Sequence, residues 1–213
     1  MKGPVARCGR TVRILRWMRR FLVCMLLCLG APSLCAARAQ SAAVSVDKHA
    51  MGAELQRSLS GMWVGTLEYR DYSEPATSTK RVKLPTWLSV AAAEDVLRFH
   101  YVYDDGPTKV VTDEELIRID AAAGTYDSRG ADGKLEDSYS IAGLEQLHDG
   151  RGVLVLTGKG TENNAPAEVR TTMRIGRNIL EMTRETAAAG QPLTFRHAYT
   201  LVRAAAPQVP ATK

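Results

Sequence analysis

The sequence predicts an all-β fold: an antiparallel meander of roughly ten short strands that closes into a β-barrel, with one short helix before it. Three observations carry this expectation. From residue 61 onward, apolar side chains recur at every second position, which is the period of a strand. Turn-forming clusters such as Asp104-Asp105-Gly106-Pro107, Gly130-Ala131-Asp132-Gly133 and Gly176-Arg177-Asn178 separate the alternating runs. The connections are too short for the crossovers that parallel strands require. Many strands sharing one apolar face tend to close on themselves, which removes unpaired edges. A two-sheet sandwich is the other arrangement this pattern permits.

The elements follow in order. Asp47 can cap a helix near 47–58, where Met51, Leu55 and Leu59 form one stripe. In 61–70, Trp63, Gly65, Leu67 and Tyr69 alternate with Val64, Thr66, Glu68 and Arg70. In 80–90, Val82, Leu84, Thr86, Leu88 and Val90 share a face, and Pro85 marks a bulge or an edge. In 96–103, Leu97, Phe99, Tyr101 and Tyr103 share a face. Residues 108–112 and 115–120 read as two shorter strands. Strands are expected at 124–129, 136–142, 152–159, 169–175, 179–185 and 192–203. In the last, Leu193, Phe195, His197, Tyr199 and Leu201 fall on one face.

The N-terminal segment reads differently. Arg7, Arg10, Arg13, Arg16, Arg19 and Arg20 precede the apolar run Phe21–Gly30, and Ala37-Arg38-Ala39 offers small residues to a signal peptidase. This is the three-part pattern of an export signal, with cleavage near Ala39/Gln40 and a periplasmic or extracellular mature protein. Arg19-Arg20 leaves open whether export uses the general or the twin-arginine route. Residues 40–58 are then a leader and the short helix, 59–204 the barrel domain, and 205–213 a flexible tail.

Removing 1–39 changes the bulk properties. Lys and Arg total 28 and Asp and Glu 23, but eight of the basic residues and none of the acidic ones lie in that segment. The remainder carries 20 basic against 23 acidic side chains, a net charge of about −3. The basic character belongs to the signal, so it does not argue for nucleic-acid binding. Cys8, Cys24, Cys28 and Cys35 all leave with it. The mature chain therefore has no thiol for a disulfide, a nucleophile or a metal. Cys28 and Cys35 each follow leucine rather than a small residue, and the apolar run is shorter than the ~20 residues of a spanning helix. Neither a lipid anchor nor a stable membrane anchor is expected.

Leu59-Ser60-Gly61-Met62-Trp63, after a short helix and at the start of the first strand, resembles the Gly-x-Trp opening of the calycin superfamily of lipocalins and fatty-acid-binding proteins. That resemblance implies a calycin-like barrel. Its tryptophan plugs one end and a late basic residue packs over it, here Arg203. Gly61, Trp63 and Arg203 are the expected barrel-closure residues. A guanidinium suits the role because it stacks on an indole while donating to backbone carbonyls. A narrower stretch, Gly190-Gln191-Pro192-Leu193 followed by a histidine and Leu201-Val202-Arg203, is similar to the C-terminus of nitrobindins, which hold haem through one histidine. Counted from Leu193, that histidine position falls on Arg196, with His197 one residue later. A one-residue shift turns a side chain to the opposite face unless a bulge intervenes.

The candidate ligand-binding residues are His197, Tyr199, Tyr101 and Tyr69, placed together on inner strand faces. An imidazole in an apolar row must be hydrogen-bonded, or its burial costs on the order of a few kcal/mol. It is either satisfied by a neighbouring strand or reaches a ligand. Protonated near ~6.5, it would assist binding of an anion. The tyrosines offer apolar bodies with polar tips and suit an ordinary core equally well. Asp104, Asp105 and Asp113 lack the spacing of a calcium loop, and His49, His100 and His148 do not cluster, so no metal site is expected. No nucleophile, zincin or phosphate-loop motif is present, and Gly158-Lys159-Gly160-Thr161 reads as a turn. The leading functional expectation is an exported protein that binds a small apolar or amphipathic molecule inside the barrel. The alternatives are a structural or envelope-interaction barrel with a filled core, and a haem-binding barrel. Nothing points to an enzyme.

Overall fold

In a computed structural model, residues 47–75, 78–93, 95–162 and 164–205 are described. The export-signal segment, the leader at 40–46 and the tail beyond 205 lie outside them. Helix α1 spans Lys48–Leu59. The Asp47 carboxylate caps it by accepting from the backbone N–H groups of His49 and Ala50 at 3.0 and 3.2 Å. Its buried side, with Leu55 and Leu59, joins the barrel core. Ser58 Oγ donates to the Asp149 carbonyl and Lys48 Nζ to that of Ala122, so the helix is also tied by polar contacts to the loops at one barrel end.

Ten strands follow: β1 Gly61–Arg70, β2 Arg81–Ala93, β3 Val96–Asp104, β4 Val110–Asp120 and β5 Thr125–Gly130 come first. Then come β6 Leu135–Ala142, β7 Gly152–Glu162, β8 Ala165–Ile175, β9 Ile179–Ala187 and β10 Thr194–Arg203. Each pairs antiparallel with its sequence neighbours, and β1 pairs with β10, so the sheet is a closed barrel. Closure is what the uniform alternation demands: every strand has one apolar face, and only an enclosed interior buries them all.

The alternation is interrupted in three informative places. Pro85 pairs with Thr66 of β1, while pairing of β2 with β3 starts only at Thr86, so no β3 partner faces the proline. The fully buried Thr86 hydroxyl accepts from Leu67 N–H and donates to the Leu84 carbonyl, satisfying backbone groups beside it. The residues read as two short strands at 108–112 and 115–120 form the single strand β4. The expected break at 113–114 falls where Asp113, followed on the same face by Glu115, puts charge on the inner side of a continuous strand. Gly158 and Gly160 lie within β7 rather than in a turn. A Cβ at Gly158 would stand 2.8 Å from the Tyr139 ring, and one at Gly160 3.2 Å from Asp137 and 3.4 Å from Arg184. These glycines keep space for inward-facing side chains.

Candidate functional site

The interior has two halves. The half nearest α1 is apolar and filled. Trp63 is 0 % exposed, with its indole N–H donating to the Leu59 carbonyl at 2.9 Å. Leu88, Leu97, Phe99, Ile117, Leu154, Leu180 and Leu201 pack in the same core. The Arg203 guanidinium carbon lies 4.1 Å from the Trp63 ring centroid. Its terminal nitrogens donate to the carbonyls of Ser60 and Ser58, each at 2.7 Å, and Nε reaches Arg177 O at 3.3 Å. One side chain thus gathers the helix C-terminus, the β8–β9 turn and the indole. Gly61 is required beneath it: its φ is +123°, and a Cβ there would meet the guanidinium at 2.6 Å.

The opposite half holds a cavity of about 210 Å³. Its floor is Leu156, Met173 and Met182. Tyr101, Tyr126, Tyr139 and Tyr199 form aromatic walls, and Asp113, Glu115, Glu136, Asp137, Arg184 and His197 supply the charged and titratable groups. Strand register explains this assembly. His197 of β10 pairs with Arg184 of β9, and Tyr199 with Met182, so all four enter the same space. Asp113 and Glu115 of β4 stand opposite Tyr101 and Phe99 of β3.

Two networks organise the walls. Arg184 donates to the Tyr139 hydroxyl at 2.9 Å and to the Asp137 carboxylate at 3.3 Å, and Tyr139 itself donates to Asp137. Burial works against charge on Arg184, but Tyr139 and Asp137 more than offset it and hold its pKa above the ordinary value. On the other wall, the Tyr103 and Tyr199 hydroxyls bond to each other at 2.8 Å. Tyr101 stacks on Tyr103 with centroids 5.9 Å apart and lies 5.3 Å from Tyr199. His197 meets Tyr199 edge-on at 5.5 Å.

Of the four residues expected to bind a ligand, Tyr101, His197 and Tyr199 line this cavity. Tyr69 stands opposite His197 in the β1–β10 register but is outside the lining. His197 keeps the register of Tyr199 and Leu201 against both neighbouring strands, and a bulge lies just before it: Phe195 pairs with Glu185 and His197 with Arg184, so Arg196 is the extra residue. The shared row expected from Leu193 to Leu201 is therefore broken. Phe195 lies instead against Arg81, whose guanidinium carbon is 4.6 Å from its ring centroid. The expectation of a protonatable His197 near 6.5 is also corrected. Burial, with the positive charges of Arg184 and Arg196, pulls its pKa down to about 4, so the imidazole is neutral at pH 7 and gives an anion no charge assistance there.

Glu115 moves the other way. Burial, then the nearby charge of Asp113 and those of Glu136 and Asp137, pushes it up to about 7, with Arg184 opposing. Burial likewise raises the Tyr101 and Tyr126 phenols, which stay neutral. Glu115, Asp113, Glu136 and Arg184 were missed as site residues. The available signal was charge on the inner face of an alternating strand.

The bulge meets one geometric condition for a haem-ligating histidine, but the remaining residues do not fit the group. The cavity is smaller than the ~300 Å³ at which pockets for drug-sized ligands begin. A porphyrin's anionic carboxylates would face four acidic side chains and one already paired arginine. Among the described residues, no cluster of three or more His, Cys, Asp or Glu side chains could hold a metal ion. No helix among them is long and apolar enough to cross a membrane.

The chain is thus a closed ten-stranded antiparallel barrel, plugged at one end and with a polar-walled cavity towards the other. No family model matches it, and no curated protein does. Among solved structures, it is similar to the crystal structure of Rv2717c from M. tuberculosis. The identity is 17%, the match covers 71% of this chain and 97% of that one, and the TM-score is 0.42. So slight a likeness adds nothing to the strand pairing itself.

Proposed function

We propose that this chain is an exported, calycin-like barrel that binds a small amphipathic molecule in the cavity away from the Trp63 plug. The calycin reading is supported by the Gly61-x-Trp63 opening with Arg203 against the indole. The ligand reading is carried by one observation. Tyr101 is only 5 % exposed, yet it lines the cavity together with the polar side chains of Tyr126, Glu115 and His197, and its hydroxyl takes no part in the hydrogen-bond networks of the walls. Groups that open onto a cavity in this way are completed by water, and a ligand's polar head can complete them in its place. A compact ligand with an apolar body on Met173 and Met182 and a polar head among the phenols would do so. The volume favours a molecule smaller than a fatty acid or porphyrin.

The competing reading is a structural barrel with a filled core. It accounts for the Trp63 half but leaves the second half unexplained. Native mass spectrometry of the protein purified from its host tests between them, with a retained small molecule expected. A bare mass together with no stabilisation by a small-molecule library would leave the structural reading standing. A Soret band in that material, lost in His197→Phe, would replace both with haem binding. N-terminal sequencing of exported material should begin at Gln40 or within a few residues of it.

A further inference from the structure

The charges around the cavity are not balanced. Asp113, Glu115, Glu136 and Asp137 line it, against Arg184 as the single arginine or lysine. Arg184 is already committed to Asp137 and Tyr139. His197 and the tyrosines contribute no charge at pH 7. Three carboxyl groups, those of Asp113, Glu115 and Glu136, therefore face the space without a paired cation among the lining residues. Glu115 is the buried one: its strand partners, Phe99 and Gly130, bring no side-chain donor to it.

A second observation, independent of the acids, points to a ligand. The nearly inaccessible Tyr101 carries a hydroxyl without a partner among the described residues. Its ring stands with Tyr199 and Tyr103 as a set of aromatic faces. Phenol faces beside carboxylates form the surroundings in which ammonium groups are held, because the ring quadrupole and the carboxylate both attract positive charge. An anion would meet three carboxylates. A wholly apolar molecule would leave Glu115 and the Tyr101 hydroxyl unpaired. The donor set offers no metal site, so the charge must come on an organic body that also covers Leu156, Met173 and Met182.

We propose that the cavity takes a compact organic cation, a primary or methylated ammonium on an apolar body, with Glu115 as its counter-ion. This rests on the ligand-binding reading above and narrows it to one chemical class. The groups facing Glu115 are Asp113 on its own strand, Tyr101 and Tyr103 on β3, Tyr126 on β5, Glu136, Asp137 and Tyr139 on β6, Arg184 on β9, and His197 and Tyr199 on β10. Since Glu115 titrates at about 7, cation binding must weaken as the carboxyl gains its proton.

The test is calorimetric titration of the full-length protein with benzylamine, benzyl alcohol and benzoate, which share a ring and differ in charge. Benzylamine should bind at about pH 8, with the other two roughly tenfold weaker or more. At about pH 5.5 benzylamine keeps its charge while Glu115 loses its own, and affinity should fall roughly tenfold or more. Glu115→Gln, checked for folding by circular dichroism, should bring the higher-pH affinity down to the lower-pH level and flatten the dependence. If that variant does not fold, the wild-type pH series decides. Equal or tighter binding of benzyl alcohol or benzoate overturns the cation assignment and leaves a ligand-binding barrel. So does unchanged benzylamine affinity across pH or in the folded variant. If all three bind too weakly to measure, the charge of the molecule retained in native mass spectrometry decides, and a neutral or anionic one overturns the assignment. No retained molecule and no probe binding removes both readings.

Discussion

Replacing Glu115 by glutamine should stabilise the unliganded protein, by an amount that depends on pH. Glutamine matches the size of the side chain and stays neutral at every pH, so it stands in for the protonated acid. In the folded protein Glu115 titrates at about 7 against an ordinary 4.5, chiefly because burial and Asp113 disfavour its anion. A raised pKa means that the folded state holds the proton more tightly than the unfolded chain. That contribution is complete below 4.5 and is lost as pH rises through 7. The shift corresponds to roughly 3 kcal/mol between the two limits. Wild type and Glu115→Gln should therefore have similar stability near pH 4, while the variant gains up to roughly 3 kcal/mol by about pH 9. Urea unfolding followed by circular dichroism at several pH values measures this, with the m-value as a check that the unfolded state is unchanged. A variant equally offset at all pH values, or less stable at alkaline pH, would show that Glu115 is not a buried, charge-repelled acid.

His197→Phe probes the opposite case: the folded imidazole titrates at about 4 against an ordinary 6.5, so its contribution is complete above 6.5 and lost as pH falls through 4. Relative to wild type, the phenylalanine variant should gain stability between about pH 6.5 and pH 4, and a flat difference in the same urea series would contradict the neutral imidazole. Trp63→Ala should cost ~3–5 kcal/mol, because it empties the plug, removes the bond to Leu59 O and leaves Arg203 without its ring. Melting should fall on the order of 10 °C, and a drop of only a degree or two would refute the plug.

The fold was legible because its cause is local. An inner face that is apolar at every second residue, cut by Gly, Asp and Asn turns, leaves few alternatives to an antiparallel meander, and Asp47 announces the helix by the chemistry of its own carboxylate. The site was legible only where it kept that pattern. Tyr101 and Tyr199 continue the alternation of their strands and were found. Asp113 violates it and fell in the expected gap between strands, and Glu115 opened the next expected strand without being marked as inward, although both belong to the charged wall of the cavity.

Arg184 and His197 show the deeper limit. They are 13 residues apart in the numbering, and their opposition depends on how β9 and β10 pair: that register runs unbroken from His197 to Val202 and shifts only at the extra residue, Arg196. Without the bulge, Phe195 would share the inner face with His197, Tyr199 and Leu201, and its ring would flank the imidazole. With it, His197 stays beside Arg184 while Phe195 turns away against Arg81. The bulge thus keeps the Phe195 ring out of the row that lines the cavity. The imidazole, buried beside a positive guanidinium, is held neutral, which leaves the carboxyl groups of β4 and β6 as the unbalanced charge. In a regular strand the same sequence would have carried Phe195 in that row, a difference that alternation alone cannot reveal.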